Sequence, residues 1–457
     1  MDATGVSRSL FTDLYELTMA QTYWQHDCRA SATFSLYFRS NPPDRGYALL
    51  AGVEEALDFI EALQFTDPDV AYLRSLGLFA DAFLDWLPSL RFTGDVRAMR
   101  EGELLFPDEP ALEVTAPVIE AQMVETAVIN AVNLQTMFAT KAARVLHAAQ
   151  GRTVADFAAR RTHGREAADR LARASYIAGF AGTSNVQAAA LYGIPPVGTM
   201  AHSLIAAFPS EADAFDAYAE SFPDTATLLV DTYDTVNGTR HAVETARRLR
   251  EKGHALRAIR IDSGDLLGLS IECRKLLDDA GLQDVGIIAS GGLDEFEVDD
   301  LVRAGAPIAG FGVGTKLGVS ADAPWCDWVY KLVEYDDQPM LKLSPGKATM
   351  AGRKQVYRRA DAHGSLRSDL IALAGEDAPP DGSTALLEPA IEQGRRTRPA
   401  PSLTEIRERA ASSLAGLPEG YKALRSPLQY PVEHTWALDE MQWGLTQNLL
   451  AREMPRR

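Results

Sequence analysis

The sequence predicts an α/β protein built on a parallel sheet, either closed as a barrel or open and doubly wound. Two observations carry this. From about Thr153 to Leu317, six short apolar segments alternate with longer amphipathic ones, the rhythm of parallel strands joined by helical crossovers. Nearly every apolar segment also ends in polar or glycine-rich residues, as strands do when their carboxyl ends converge on one mouth. Flanking segments of mixed character add a smaller α/β sheet domain shared by the N-terminal and post-barrel strands, and a helical C-terminal tail. The expected domains are residues 1–150, 151–350 and 351–457.

Along the chain, the first 150 residues mix helical pieces (FTDLYELTMAQTYWQ and APVIEAQMVETAVINAVNLQTMF) with strand-like ones (SATFSLYFRS, VRAMREGELLF and ALEVTA). The central strand candidates are TVADF (153–157), PVGTMA (196–201), TLLVD (227–231), AIRID (258–262), VGIIAS (285–290) and PIAGFGV (307–313). Between them HAVETARRLREKG (241–253) and SIECRKLLDDAG (270–281) are amphipathic and end at glycine, the residue that closes helices most readily. Asp294-Glu-Phe-Glu297 reads as a capping box opening another helix. Around and after Lys331, YKLVEYD and KQVYRRAD alternate with the turn-rich DAHGSLRSD and GEDAPPDGS. Ser402-Leu-Thr-Glu405 begins a late helix with a second capping box.

The 457 residues are 46% apolar and 24% charged, ordinary for a globular chain of two or three domains. A net charge of -18 argues against a nucleic-acid or anionic-membrane partner, which needs clustered Lys and Arg. It leaves room for phosphorylated small molecules held by backbone N–H groups and a few arginines. Cys28, Cys273 and Cys326 are too scattered for a disulfide framework or a metal cluster, which points to a reducing compartment. The opening MDATGVSRSLFTDLYEL contains no signal-peptide core, and no run of about 18 apolar residues occurs. A cytoplasmic protein is expected.

Arg260 and Asp262 stand two apart in AIRID, so a strand puts them on one side and Ile259 and Ile261 on the other. An arginine in such a mouth suits a phosphate or carboxylate, and a nearby aspartate suits sugar hydroxyls or a metal that bridges phosphates. Ser290-Gly291-Gly292 and Gly312-Val-Gly314-Thr315 each follow an apolar strand, where successive N–H groups can form an anion site. Lys331 adds a candidate cation. Phe157 and Arg160 offer a ring and a guanidinium to a planar, negatively charged aromatic substrate. His202, in PVGTMAHS, lacks metal-ligand spacing, so proton or phosphoryl chemistry is left for it. Walker A, nucleophile-elbow and dinucleotide fingerprints are absent from the sequence. Each feature has a structural alternative: an Arg–Asp pair at a strand end, a core Phe, a glycine turn. Six polar strand ends in series favour the functional reading.

FTDLYELTMAQ, DFAARRTHG, GTSNV, GTMAHS, IRIDSGDL, ASGGLDE and GFGVGTKLG occur in the order seen in nicotinate phosphoribosyltransferases, a resemblance running from about residue 10 to 350. It implies a type II phosphoribosyltransferase fold, an irregular α/β barrel beside a sheet domain completed by both flanks, working as a homodimer. The implied reaction converts nicotinate and phosphoribosyl pyrophosphate to nicotinate mononucleotide and pyrophosphate. It is coupled to ATP hydrolysis and is the entry of salvaged nicotinate into NAD synthesis, with Mg²⁺ at the pyrophosphate. By the same resemblance, His202 is similar to the histidine transiently phosphorylated by ATP. Tyr15 resembles the ring that enters from the partner subunit to stack nicotinate against Phe157. Arg160 falls near the pyridine and phosphate, Thr199 near the nicotinate, and Arg260 and Asp262 at substrate and ribose. Ser290, Gly291, Gly292, Gly314 and Thr315 fall around the 5-phosphate, and Lys331 falls near pyrophosphate or ATP of a neighbouring chain. Nicotinamide-using relatives carry Asp where this chain has Ser184; a carboxylate there would repel that of nicotinate, whereas a hydroxyl can donate to it.

Overall fold

A computed structural model of the chain describes residues 7–343 and 349–453. The polypeptide packs as two units, Phe138–Pro324 and a composite of Met1–Met137 with Trp325–Arg457. Their borders fall inside the helix Glu125–Ala149 and just before the strand Trp328–Tyr335, rather than at the 150 and 350 that composition suggests. The composite unit is the longer of the two.

Five parallel strands form the sheet of the Phe138–Pro324 unit. They are Thr153–Asp156, Thr227–Leu229, Ala258–Ile261, Gly286–Ala289 and Gly310–Val313. The first pairs with the last, and the other four follow in reverse chain order. Single parallel bridges join Asp156 to Thr183 and Thr183 to Pro196, prolonging the sheet past its Thr153 edge. The parallel sheet expected from the sequence is therefore present. A closed barrel is not, because among the described residues no backbone pairing joins Pro196 to Thr227–Leu229. The expected PVGTMA strand shrinks to that one bridge: Pro195 and Pro196 have no N–H to give a ladder, and the chain soon turns into the helix His202–Ala206.

The helices of this unit start where their caps dictate. Thr235–Glu251 begins at Asp234, whose side chain accepts from the Asn237 N–H at 2.8 Å. Leu266–Asp279 is capped by Asp265, and Glu295–Arg303 by the expected Asp294 and Glu297 box. Ile259 and Ile261 are buried, as strand alternation requires of the face opposite Arg260.

In the composite unit, strands from both ends of the chain share one seven-stranded sheet. Ser31–Phe38 lies between Trp328–Tyr335 and Leu112–Pro117, antiparallel to both. Asp95–Ala98 pairs in turn with Leu112–Pro117 and Glu388–Glu392. The face of this sheet is apolar, with Phe34 stacked on Tyr330 at 4.9 Å between centroids. Lys354–Ala360, Leu366–Leu373, Thr384–Ala385 and Val432–His434 make a separate four-stranded sheet. The helices Leu403–Gly416, opened by the Ser402 and Glu405 box, and Trp436–Glu453 lie near the C-terminus. Among the described residues no helix is long and apolar enough to cross a membrane.

Candidate active site

The polar strand ends of the Phe138–Pro324 unit bond to one another. Arg260 leaves its strand on the side opposite the apolar Ile259 and Ile261. Its Nη1 donates to Thr199 Oγ1 at 2.5 Å, and its Nη2 lies 3.8 Å from Asp262 Oδ1. The guanidinium carbon sits 5.9 Å from the centroid of the Phe157 ring, within cation–π range. Burial presses the Arg260 pKa down, Asp262 and Asp231 oppose this, and the charge of the exposed Arg160 adds to the lowering. Guanidinium remains charged through such a shift. Its Nε is buried and has no hydrogen-bond partner. A buried, unspent donor in this setting is what an anionic ligand would satisfy.

Asp156 shows how the sequence builds the floor beneath that ring. The side chain is 1% exposed, and its two oxygens accept from the Ala158 N–H at 2.8 Å and from Thr183 Oγ1 at 2.7 Å. One carboxylate thus fixes the turn carrying Phe157 and ties it to the segment carrying Ser184, while burial raises its pKa. Ser184 is half-buried, and its N–H donates to the Asp156 carbonyl at 2.8 Å.

The glycine loops close around these groups. Ser290 is buried and donates to Asp262 Oδ1 at 2.5 Å. Gly291 comes next at φ +91°, and a Cβ there would stand 1.8 Å from the Asp262 carbonyl oxygen, so only glycine fits. Gly292 is also left-handed, at φ +69°. A Cβ on Gly312 would lie 2.4 Å from Phe157 Cε2, so the bare glycine is what lets the ring lie against the strand. Gly314 caps the short helix Thr315–Gly318, with Thr315 exposed at its start.

His202 is the first residue of its helix rather than a strand end, and it is exposed. Its Nδ1 lies 3.1 Å from Thr232 Oγ1. The preceding Asp231 accepts from the Asp262 N–H at 3.0 Å and from Ser263 Oγ at 2.6 Å through Oδ2, while its Oδ1 is buried without a partner. Side chains thus bind the segments carrying His202, Asp231 and Asp262. Thr232 does not stand out in the sequence, and Thr183 does so only within GTSNV; a polar residue flanking a strand end carries no periodic signal.

Tyr15 and Lys331 belong to the composite unit. Both act on one carboxylate there, that of Glu125. Burial raises the Glu125 pKa, while Gln122, Lys331 and Tyr15 act against the rise. Burial, then Glu125, pushes the Tyr15 phenol up, although 45% of the side chain stays exposed.

Among the described residues no group of three or more His, Cys, Asp or Glu side chains is arranged to hold a metal ion. The unpartnered Asp231 Oδ1 and the nearby Asp262 are hard oxygen donors, which suits a Mg²⁺ ion that takes most of its ligands from phosphates and water.

Comparison with known proteins places most of the chain in one family. Three family models match in succession: the nicotinate phosphoribosyltransferase N-terminal domain over residues 10–133, the nicotinate phosphoribosyltransferase family over 153–343, and its C-terminal domain over 383–442. Nicotinate phosphoribosyltransferase pncB2 of Mycobacterium tuberculosis is 50% identical over 93% of this chain and 91% of its own length. The nicotinate phosphoribosyltransferase of Bacillus subtilis is 39% identical, with 93% of each chain covered. Among solved structures, human nicotinic acid phosphoribosyltransferase superposes with a TM-score of 0.86 at 30% identity, over 95% of this chain and 99% of that one. Nicotinate-nucleotide pyrophosphorylase from Pyrococcus furiosus gives 0.75 at 26% identity, over 91% and 99%. Sequence and fold agree, and the chain belongs to the nicotinate phosphoribosyltransferase family.

Proposed function

We propose that this protein transfers the phosphoribosyl group of phosphoribosyl pyrophosphate to nicotinate, forming nicotinate mononucleotide and pyrophosphate, with ATP hydrolysis coupled through His202. Arg260 carries the reading. A guanidinium fixed by Thr199 and Asp262, set over the Phe157 ring and holding an unspent buried donor, matches a planar ligand with a carboxylate. The names of the relatives supply the reaction, and the strand-end chemistry is consistent with it.

The pyridine nitrogen attacks the anomeric carbon of the ribose. The carbon–oxygen bond to pyrophosphate breaks, and its electron pair leaves with the pyrophosphate. Positive charge develops on the sugar, so the carboxylate of Asp262, oriented by Ser290, stabilises the transition state more than the ground state. The N–H groups around Gly291, Gly292, Gly314 and Thr315 hold the 5-phosphate, and Arg160 adds positive charge near the ring. When bound, Mg²⁺ supplies charge neutralisation for the departing pyrophosphate, with Asp262 and Asp231 as the carboxylates able to hold it. An imidazole nitrogen of His202 accepts the γ-phosphoryl group of ATP, releasing ADP, and water later cleaves the nitrogen–phosphorus bond. Thr232 keeps the ring in place for both steps. The resulting dianionic group changes the charge of the mouth and favours product. In a homodimer, Tyr15 and Lys331 serve the neighbouring chain's site, Tyr15 against its Phe157. The setting is the cytoplasm.

Purified protein supplied with phosphoribosyl pyrophosphate, ATP and Mg²⁺ is expected to consume nicotinate far faster than nicotinamide, because Ser184 donates to the acid's carboxylate. A preference for nicotinamide in the same assay would overturn the assignment.

A further inference from the structure

We propose that Lys141 and Lys316 are positioning residues that set the spacing of the two glycine loops, and through it the grip on a phosphate monoester. The proposal rests on reading those loops as the 5-phosphate site.

Lys141 is fully buried in the helix Glu125–Ala149, and its Nζ pairs with the Glu295 carboxylate and with Asp322 Oδ1 at 2.8 Å. Arg144, one turn further on, donates from Nε to Glu295 Oε1 at 3.0 Å and lies 3.8 Å from Asp322 Oδ2. Glu295 opens the helix just beyond Ser290–Gly292, and Asp322 lies a few residues beyond the helix that begins after Gly314. One buried cluster of two cations and two anions therefore anchors the far end of each loop. A second link lies nearer the surface. Lys316, next to Thr315, reaches Glu297 Oε1 at 2.5 Å and Asp294 Oδ2 at 3.3 Å, the two members of the capping box just past Gly292.

These links matter because glycines cannot brace themselves. The strands leading into the loops pair at Gly310 with Ile288 and at Phe311 with Ala289. Past those positions, Lys141 and Lys316 cross-link the segments at the far ends of the two loops. A phosphate held by N–H groups from both loops needs the two sets to converge, and small displacements are costly in such sites. The acidic Glu295 also heads a nine-residue helix, and Lys141 and Arg144 cancel its charge, which would otherwise repel an arriving phosphate.

The test is calorimetric titration of the full-length protein with ribose 5-phosphate, paired with steady-state kinetics. Lys316→Met is expected to weaken ribose 5-phosphate about tenfold and raise the KM for phosphoribosyl pyrophosphate by a similar factor, leaving the KM for nicotinate within about twofold. Lys316→Arg should restore most of the loss, and Lys141→Met should act in the same direction more strongly. If Lys141→Met does not fold, Lys316→Met decides. Unchanged ribose 5-phosphate affinity in folded Lys316→Met, or equal KM increases for both substrates, would overturn the proposal, as would failure of the unsubstituted protein to bind ribose 5-phosphate. Wild-type protein that binds ribose 5-phosphate but forms no nicotinate mononucleotide would overturn the assigned reaction instead.

Discussion

Gly312 has no room for a side chain: a Cβ would stand 2.4 Å from one Phe157 ring atom and 2.5 Å from another. Gly312→Ala must therefore displace the ring from its place beside Arg260. The expected result is a KM for nicotinate raised about tenfold, the scale of a lost cation–π or stacking contact, with a smaller effect on phosphoribosyl pyrophosphate. An unchanged nicotinate KM would show that the ring is not a substrate platform. At this scale the sequence is most legible where a short-range rule applies. Period-two alternation puts Arg260 and Asp262 on one face, and they lie within 3.8 Å of each other. It is silent where contacts join distant segments: nothing in the local pattern links Thr199 to Arg260 across 61 positions, or Lys141 to Glu295 across 154.

Helix boundaries obey their caps. The apolar patterns starting at 241 and 270 belong to helices that begin at Thr235 and Leu266, because Asp234 and Asp265 satisfy the first N–H groups before any apolar stripe appears. The capping boxes at Asp294 and Ser402 are legible in the sequence because their residues lie only three positions apart. Ser402 offers a clean measurement of what such a box contributes. Ser402→Ala removes the acceptor for the Glu405 N–H at 3.2 Å and the hydroxyl bonded to the Glu405 carboxylate at 2.7 Å. Urea denaturation should show a loss of about 1 kcal/mol, with catalytic constants unaltered. No loss of stability would mean that tertiary packing alone holds the helix. Strand prediction fails at PVGTMA and misses Thr183, since consecutive prolines break a ladder and a single bridged threonine carries no apolar run.

For the molecule as a whole, buried charge makes stability depend on pH. Glu109 is fully buried; burial raises its pKa well above the usual carboxylate range, Asp369 adds to the rise, and Arg358 opposes it. Its Oε2 accepts from the Phe106 N–H at 2.9 Å, while Oε1 has no partner as an acceptor and can donate a proton toward Asp369. The folded state therefore binds this proton more tightly than the unfolded chain. The associated stability is full below the unfolded pKa and is lost as pH rises through the folded one. Glu109→Gln should accordingly lose less thermal stability than wild type as pH is raised from the carboxylate range, and parallel pH profiles would contradict this protonation state. The sequence leads one to expect that strands from both flanks share a sheet, and they do, but which strands pair, such as Tyr37 with Val329, is set by contacts that no local rule reveals.

The proposed activity of the mouth around Arg260 and His202, formation of nicotinate mononucleotide coupled to ATP, is open to one direct measurement. Phosphorus-31 NMR of one reaction mixture, with phosphoribosyl pyrophosphate, nicotinate, ATP and Mg²⁺, tracks every phosphorus atom involved. Wild-type protein should convert phosphoribosyl pyrophosphate to pyrophosphate and a single new monoester while ADP and phosphate accumulate. His202→Ala should give the monoester slowly and without ADP. Unaltered phosphoribosyl pyrophosphate with the wild-type protein, or equal ADP formation in His202→Ala, would contradict this activity.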